Sequence, residues 1–146
     1  MTVHRQHMRR ALSLARLQAG RTGANPSVGC VVLDRDGQRL SEAATGDDGR
    51  PHAEQLALQR VPVGAAVGGT VYVTLEPCRE RSTGEASCSQ RLLESGVAKV
   101  IIATRDPHPL GHGGLNRLRE AGIQVELGLL KSEADALYVD FFASAT

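Results

Sequence analysis

The 146-residue chain is poor in aromatic side chains and carries almost no net charge. Tryptophan is absent and only two Phe and two Tyr occur, so the core must be built from Val, Leu, Ile and Ala. The 17 basic side chains nearly balance the 16 acidic ones, for a net charge of +1. Proteins that bind duplex nucleic acid usually carry a basic excess, because phosphate neutralisation drives that binding. The charge balance therefore argues against a nucleic-acid partner.

Long apolar segments are also missing, and cysteine is scarce. No run approaches the roughly 18 apolar residues that mark a membrane-spanning helix. The N-terminal segment lacks the apolar centre of a secretion signal. We therefore expect a cytoplasmic protein with no membrane partner. In a reducing compartment a disulfide is an unfavourable use of the three cysteines, which leaves burial, redox chemistry or metal binding.

Hydrophobic periodicity predicts one α/β domain over residues 1–146. Helical spacing of Met8, Leu12 and Ala15 predicts a first helix that ends at Gly20. Predicted strands cover 28–34, about 39–45, 68–76, 98–104 and 123–128, and further predicted helices cover 52–60, 88–96, 113–122 and 131–142. A turn centred on Asp36-Gly37 joins the first two strands as a hairpin. We expect a three-layer α/β/α sandwich around a mixed, mostly parallel sheet of about five strands.

Three polar motifs fall at strand ends or helix starts of this predicted fold. Pro51-His52-Ala53-Glu54 opens the second helix, Glu76-Pro77-Cys78 follows the strand predicted over 68–76, and Cys88 opens the third helix. In open α/β sheets, ligands bind in the crevice outside the carboxyl ends of the strands, where helix N-termini converge. We therefore expect the three motifs to share one site.

The residue types of these motifs suit a catalytic zinc ion. The N-terminus of a helix favours thiolate over thiol. Two thiolates, Cys78 and Cys88, with the neutral imidazole of His52 can hold Zn²⁺ and leave one coordination position for water. Glu54, two residues beyond His52, can then act as a proton shuttle without ligating the ion.

Each signal taken alone has a simpler interpretation. An isolated His-x-Glu is usually a surface feature, and an isolated Cys78 would more often be a small buried hydrophobic residue. A redox pair is conceivable, but nine residues separate the two cysteines, far from the Cys-x-x-Cys spacing. Zinc is the interpretation that explains residue type, order and helix position together.

The order His52-Ala53-Glu54, Pro77-Cys78 and Cys88 resembles the zinc-dependent nucleobase deaminases of the cytidine and deoxycytidylate deaminase superfamily. The long gap between the cysteines, with "NPSVGC", "TLEPC" and "RDPHPL", makes the chain similar to one branch, the pyrimidine deaminases of riboflavin biosynthesis. The resemblance runs from about residue 8 to residue 142. It implies that His52, Cys78 and Cys88 bind zinc, that Glu54 is the acid/base, and that Asn25 contacts the pyrimidine. From the residues alone, Asn25-Pro26 can also be a plain turn.

The resemblance also implies a domain organisation and an assembly. Typical members of the branch continue into a reductase domain, and the chain stops where that domain would begin. We therefore expect a single deaminase domain over residues 1–146 without a reductase domain. Because the fold commonly completes its pocket from a neighbouring subunit, a homodimer or larger homo-oligomer is expected.

Several positions depart from the branch where its members surround the phosphoribosyl part of their substrate. A histidine of the branch is replaced by Thr45, and the loop between the cysteines is one residue longer and has Glu80 in place of another histidine. His108 stands in place of an asparagine. The deamination chemistry is therefore expected to transfer more directly than the identity of the substrate.

Four residues near these departures are candidate substrate contacts. Arg79 and Arg81 can bind phosphate, or can lie on a solvated loop. Asp106 can contact a sugar hydroxyl or cap the following segment. His108 can line the pocket mouth or be an exposed turn histidine.

Three functions follow from these observations. The first is a zinc hydrolase that deaminates the phosphoribosylated diaminopyrimidine of the riboflavin pathway. The second is a deaminase of the same chemistry that acts on another base, nucleoside or intermediate of specialised metabolism, as the departures at Thr45, Glu80 and His108 suggest. The third is a non-catalytic, zinc-stabilised partner module, which the presence of Glu54 disfavours. A nucleic-acid editor is weaker still, because a short Cys-x-x-Cys and a basic surface are missing.

Overall fold

A computed structural model describes residues 2–78, 87–107 and 113–143. Its helices are α1 (Thr2–Gln18), α2 (Ala53–Gln59), α3 (Cys88–Ser95), α4 (Gly114–Glu120), α5 (Lys131–Leu137) and α6 (Val139–Ala143), with a short 3₁₀ turn at Asp47–Gly49. Its strands are β1 (Gly29–Leu33), β2 (Arg39–Ala44), β3 (Thr70–Leu75), β4 (Lys99–Thr104) and β5 (Gln124–Leu127).

The five strands form one mixed sheet in the order β2-β1-β3-β4-β5. Strand β1 is antiparallel to both of its neighbours, whereas β3 and β4, and β4 and β5, are parallel. Four strands therefore share one direction and β1 alone is reversed, which confirms the expected mixed, mostly parallel sheet.

Helices cover both faces of this sheet. Helices α1 and α5 pack on one face, while α2 and α4 pack on the other, with α3 between them. The close fit of α1 depends on Gly29, because a Cβ there would lie 1.7 Å from the carbonyl oxygen of Ala11. Met8, Leu12 and Ala15 of α1 are at most 1% exposed, as the helical spacing predicts. The three-layer α/β/α prediction is confirmed.

The predicted hairpin is present between β1 and β2. The Asp34 carboxylate accepts the backbone N–H groups of Asp36 and Gln38, both at 2.9 Å, and closes the turn. Gly37 has a φ of +84°, the left-handed conformation that glycine adopts without strain.

Two predicted elements differ in the structure. The helix predicted over 131–142 is divided into α5 and α6 at Tyr138, whose side chain is drawn into the interior and is 2% exposed. The strand predicted over 123–128 is shortened to β5, an edge strand in which only Val125 is buried. Within the described ranges, no helix combines the length and the apolar character needed to span a bilayer.

Candidate metal centre and active site

One edge of the sheet collects the polar motifs because of the strand directions. Strands β2, β3 and β4 end at this edge, and they lead to the start of α2, to Glu76-Pro77-Cys78 and to Asp106. The reversed strand β1 begins at the same edge, so the loop that carries Asn25 arrives there from the other direction. Segments distant in sequence therefore converge, as expected for the crevice of an α/β sheet.

His52, Cys78 and Cys88 meet at this edge. Their ligand atoms, one from each residue, all lie within 4.8 Å of one another. The Nδ1 atom of His52 is 3.3 Å from the Sγ atom of Cys88. The structure thus brings together the three residues that the sequence indicated as a metal site.

Local backbone structure explains why the cysteines lie where they do. Ser87 caps α3, since its Oγ accepts the backbone N–H of Gln90 at 3.1 Å. This cap leaves the first N–H groups of the helix available to Cys78: the Cys88 N–H donates to the Cys78 sulfur at 3.2 Å, and the Ser89 N–H donates to the Cys78 carbonyl oxygen at 3.1 Å. Helix α2 begins after His52, which occupies the N-cap position without a side-chain cap bond. Its imidazole is directed to the cysteines instead.

The donor set fits a zinc ion. A tetrahedral Zn²⁺ with bonds of about 2.0–2.3 Å places its N and S ligand atoms about 3.5–3.8 Å apart. The ligand atoms of the three residues all lie within 4.8 Å of one another, close to this separation. One nitrogen with two sulfurs is also a ligand set that zinc prefers. Three protein ligands would leave one position for solvent or substrate, as in catalytic zinc sites.

Electrostatics prepare Cys78 as a thiolate. Hydrogen bonding from the side chain of Cys88 is the largest effect, and together with bonds from His52 and the Cys88 backbone it lowers the pKa of Cys78 to about 4. Cys30, by contrast, is fully buried in β1, and desolvation raises its pKa. The opposite pKa shifts distinguish Cys78, a thiol suited to bind metal, from Cys30, an inert thiol of the core.

Glu54 is buried beside the three converging residues. Its side chain lies in the first turn of α2, and the residue is 4% exposed. Burial raises the pKa of Glu54 to about 7, with the charge of His52 opposing the shift and the charge of Cys78 adding to it. A carboxyl group with a pKa near neutrality can both accept and return a proton.

The carboxylate of Glu76 was assigned no role from sequence, yet it ties the edge of the site together. Its side chain is fully buried, and its two oxygens accept the backbone N–H groups of Asp106 at 3.1 Å, Gly113 at 3.0 Å and Leu115 at 3.0 Å. Arg105 lies 3.6 Å from one of these oxygens. The bonds join the end of β3 to the end of β4 and to the start of α4, which fixes the segment that carries Cys78. An acidic residue directly after a buried strand is the signal that could have indicated this role.

Two of the five predicted substrate contacts, Asn25 and Asp106, lie within the described residues. Asn25 is partly buried, and its side-chain Nδ2 donates to the Gly49 carbonyl oxygen at 3.1 Å. Asp106 is 7% exposed, and its backbone N–H is held by Glu76. Arg79, Arg81 and His108 lie outside the described residues.

Thr45, one of the positions that depart from the branch, is buried and bonded to the loop before β1. Its Oγ1 accepts the Val28 N–H at 2.9 Å, and its own N–H donates to the Val28 carbonyl oxygen at 3.0 Å. It is 2% exposed, so its side chain supports the Asn25 loop.

A second network of buried hydrogen bonds supports the same loop from β3 and the C-terminal helices. The Gly29 N–H donates to Thr74 Oγ1 at 3.0 Å, this hydroxyl lies 2.7 Å from the Tyr138 hydroxyl, and Tyr138 donates to the Ser27 carbonyl oxygen at 2.7 Å. Nothing local in the sequence indicated Tyr138, because its partners lie 64 and 111 residues away.

A surface cavity of about 300 Å³ lies elsewhere, between α2, α3 and the residues that join α2 to β3. Its lining includes Leu58, Val61, Val63 and Arg91 but none of the three residues of the metal cluster. The chemistry therefore points to the strand-end site, despite the size of this cavity.

Comparison with known families and proteins agrees with the geometry. The family model for the cytidine and deoxycytidylate deaminase zinc-binding region matches residues 1–104. The riboflavin biosynthesis protein RibD of Aquifex aeolicus is 40% identical over 145 residues, which cover 99% of the chain and 40% of that protein. The diaminohydroxyphosphoribosylamino-pyrimidine deaminase of Buchnera aphidicola is 38% identical over 141 residues, which cover 93% of the chain and 91% of that protein.

A solved structure gives the same result. The deaminase/reductase of Thermotoga maritima, whose name gives diaminohydroxyphosphoribosylaminopyrimidine as its deaminase substrate, superposes with a TM-score of 0.89 at 35% identity. The match covers 98% of the chain and 41% of that structure. The chain thus spans about two fifths of the length of the RibD relatives, but nine tenths of the Buchnera deaminase.

Proposed function

Because the chain belongs to the cytidine and deoxycytidylate deaminase zinc-binding family, in the branch of the riboflavin-biosynthesis deaminases, we propose that it hydrolyses the amino group of an aminopyrimidine and releases ammonia. The observation that carries this proposal is the convergence of one imidazole and two thiol groups beside a buried carboxyl group. The proposed substrate is diaminohydroxyphosphoribosylaminopyrimidine, the compound in the name of the Buchnera relative.

His52, Cys78 and Cys88 are the residues that would hold the zinc ion. When bound, zinc acts as a Lewis acid that lowers the pKa of coordinated water to about 7. The chain's own contribution is to keep both sulfurs and the imidazole nitrogen close together and partly shielded from solvent. The Cys88 N–H at the start of α3 donates to the Cys78 sulfur and stabilises its negative charge.

Glu54 moves the protons of the reaction. Its carboxylate oxygen accepts a proton from the attacking water, whose oxygen forms a bond to the ring carbon that carries the amino group. The C–N bond then breaks, and Glu54 returns the proton to the departing nitrogen, which leaves as ammonia. A pKa of about 7 suits both steps, because neither protonation state is strongly disfavoured near neutral pH.

The remaining residues of the site would bind and orient the pyrimidine. Asn25 is proposed as the contact to the ring, and Asp106, which follows β4 at the same edge of the sheet, as a second contact. Arg79, Arg81 and His108 are proposed as contacts to the phosphoribosyl group, on the basis of the resemblance and their charge. Support for Asn25 comes from its fixed side-chain amide, which a hydrogen bond to Gly49 holds in one orientation.

A second substrate class is kept because of Thr45. Its hydroxyl group is engaged with the Val28 backbone and the residue is 2% exposed, so no side chain is offered to a ligand at this position. A deaminase of the same chemistry that acts on a different base or nucleoside would fit this observation.

Assembly and compartment are proposed on separate grounds. Val63 and Val67 are exposed apolar residues that follow α2, and Val63 borders the surface cavity. Burial of such residues between copies would favour a homodimer or larger homo-oligomer. No disulfide joins any of the three cysteines, all of which lie within the described residues, and this is consistent with the reducing cytoplasm.

Ammonia release by the zinc-loaded protein tests the proposal. We expect turnover of diaminohydroxyphosphoribosylaminopyrimidine, and none of cytosine, cytidine, deoxycytidylate or guanine at the same concentration. Turnover of one of these other compounds instead would replace the first substrate by the second class. Absence of turnover with every compound, in protein that contains about one zinc ion per chain, would contradict the enzymatic function.

A further inference from the structure

Gly49 occupies a position in which only glycine fits beside Asn25. A Cβ atom at Gly49 would lie 2.5 Å from Asn25 Nδ2 and 2.6 Å from the Thr22 carbonyl oxygen, well inside contact distance. The residue also has a φ of +94°, a backbone conformation that residues other than glycine rarely adopt. The carbonyl group of Gly49 accepts the Asn25 amide, so the close approach and the hydrogen bond occur together.

The bond decides which atom of Asn25 faces a ligand. The bond uses one of the two N–H donors of Nδ2 and turns Oδ1, on the opposite side of the amide, away from Gly49, where it is available as an acceptor. An acceptor in this position selects a ligand with an N–H donor, as an aminopyrimidine has.

The loop of residues 46–51 contacts Asn25 through Gly49 and leads directly into His52, a proposed zinc ligand. The loop closes on itself through bonds from Gly46 N to Pro51 O at 2.9 Å and from Gly49 N to Gly46 O at 3.0 Å. It is attached to the Asn25 side by the Asp48 N–H, which donates to Arg21 O at 2.8 Å. Its last residue is bonded to His52, so one short loop sets the position of Asn25 relative to the metal site.

We propose that Gly49 is a positioning residue for substrate binding: its carbonyl group and its lack of a side chain hold Asn25 with the acceptor oxygen toward the pyrimidine. The inference rests on the proposed function, because it assigns Asn25 to the same substrate. Gly49 would act on the substrate through Asn25, and we expect the zinc content and the proton transfers at Glu54 to stay unchanged.

The test compares Gly49→Ala, Asn25→Ala and the double variant by steady-state ammonia release. We expect Gly49→Ala to raise KM about 10-fold with little change in kcat, the pattern of lost binding rather than lost chemistry. The double variant should have the KM of Asn25→Ala, because residues that act through one contact are not additive. Zinc content should stay at the wild-type value in all three.

Gly37→Ala is the matched control. Gly37 also has a positive φ, +84°, but a Cβ there would meet nothing within 4 Å. It carries the same backbone strain without touching the site, so its KM should equal that of the wild type. A wild-type KM in Gly49→Ala, an equal rise in Gly37→Ala, or multiplied effects in the double variant would overturn the inference.

Asn25→Asp provides a second test if Gly49→Ala does not fold. It keeps the size of the side chain but places an oxygen against the Gly49 carbonyl, so repulsion should turn the group and raise KM as much as Asn25→Ala does. A wild-type KM in Asn25→Asp would contradict the positioning role.

Failure of the proposed function would be recognised separately. If the wild-type protein releases no ammonia from the substrate, the ¹⁵N signal of the Asn25 side-chain amide still reports its hydrogen bond. We then expect Gly49→Ala, but not Gly37→Ala, to remove the protection of this amide from solvent exchange. An unchanged signal in Gly49→Ala would overturn the positioning role independently of any activity.

Discussion

Burial sets the chemical properties of Glu54. Desolvation disfavours its charged form and raises its pKa to about 7, although the charge of His52 acts in the opposite direction. A carboxyl group on a solvated helix would stay ionised at neutral pH and would return a proton poorly. The position of Glu54 in the first turn of α2, with its residue 4% exposed, is therefore what makes it suitable as an acid/base.

Replacing Glu54 by glutamine should separate chemistry from metal binding. Glutamine has nearly the same shape but cannot take up the proton, so we expect kcat to fall by at least about 10²-fold while zinc content is retained. Ammonia release and metal analysis measure the two effects. Glu120→Gln, an exposed change on α4, should leave both values unchanged. Retained turnover in Glu54→Gln would exclude the acid/base role.

Individual residues differ in how far their roles can be predicted from sequence. His52, Cys78 and Cys88 were indicated because imidazole and thiol groups are typical metal ligands and because all three lie at a predicted helix start or just after a predicted strand. The role of Glu76 was missed because its partners are backbone N–H groups 30, 37 and 39 residues away, which no side-chain pattern marks. Gly49 was missed for the same reason, since its close neighbours Thr22 and Asn25 belong to another loop.

The break between α5 and α6 is the clearest effect at the level of elements. Apolar spacing predicts one helix over 131–142, but Tyr138 leaves the helical conformation, with a φ of −106° and a ψ of 14°. Its hydroxyl group reaches Thr74 in β3 and the Ser27 carbonyl oxygen. The contacts of Tyr138 with Thr74 and Ser27 therefore outweigh the local helix propensity. They attach the C-terminal helices to β3 and to the loop that carries Asn25.

Loss of the Tyr138 hydroxyl should weaken this attachment. Tyr138→Phe leaves the Ser27 carbonyl oxygen and Thr74 short of a buried partner, so we expect the free energy of unfolding to fall by about 1–3 kcal/mol. Urea denaturation measures the change. Tyr72→Phe is the matched control: its hydroxyl group contacts His4 in a partly buried position, and a loss below about 1 kcal/mol is expected. Equal losses in the two variants would contradict a special role for Tyr138.

Strands were predicted better when both of their faces are buried. Residues Val71–Leu75 of β3 and Val100–Thr104 of β4 are all buried, as their continuous apolar runs indicate. In β5 only Val125 is buried, because this strand lies at the edge of the sheet. Position in the sheet depends on the order of the strands, which a local apolar pattern does not contain.

Across the whole molecule, the reversal of β1 is what completes the site. Alternation of strands and helices predicted the α/β class and the layers, but no local signal places β1 between β2 and β3. This order brings the beginning of β1 beside the ends of its neighbours. Asn25 and His52, which are separated by two strands in sequence, consequently lie on loops that contact each other.

Zinc should stabilise the folded chain, because the ligands meet only when three distant segments are assembled. At free zinc 100-fold above its dissociation constant the gain is about 2.7 kcal/mol. This corresponds to a rise in Tm of roughly 5–10 °C for a chain of this size. Circular dichroism melting with zinc and with chelator measures the shift.

Two cysteine variants control for this stabilisation. Cys88→Ala should abolish the zinc-dependent shift. Cys30→Ala should lower Tm in both conditions, because a buried side chain is shortened, but should preserve the difference between them. A zinc-dependent shift that persists in Cys88→Ala would show that the ion binds elsewhere.

The order of the strands also bears on self-association through backbone pairing. Among the described strands, the outer ones, β2 and β5, have an unpaired side, and both carry charge. Glu42 of β2 pairs with Arg10 at 2.6 Å, and Glu126 of β5 lies 3.4 Å from Lys99. Charged side chains on an open edge make the addition of a foreign strand unfavourable. Among the described strands, the continuous apolar runs lie in β1, β3 and β4, each of which already has two partners, so we expect this order to disfavour the growth of the sheet by further strands.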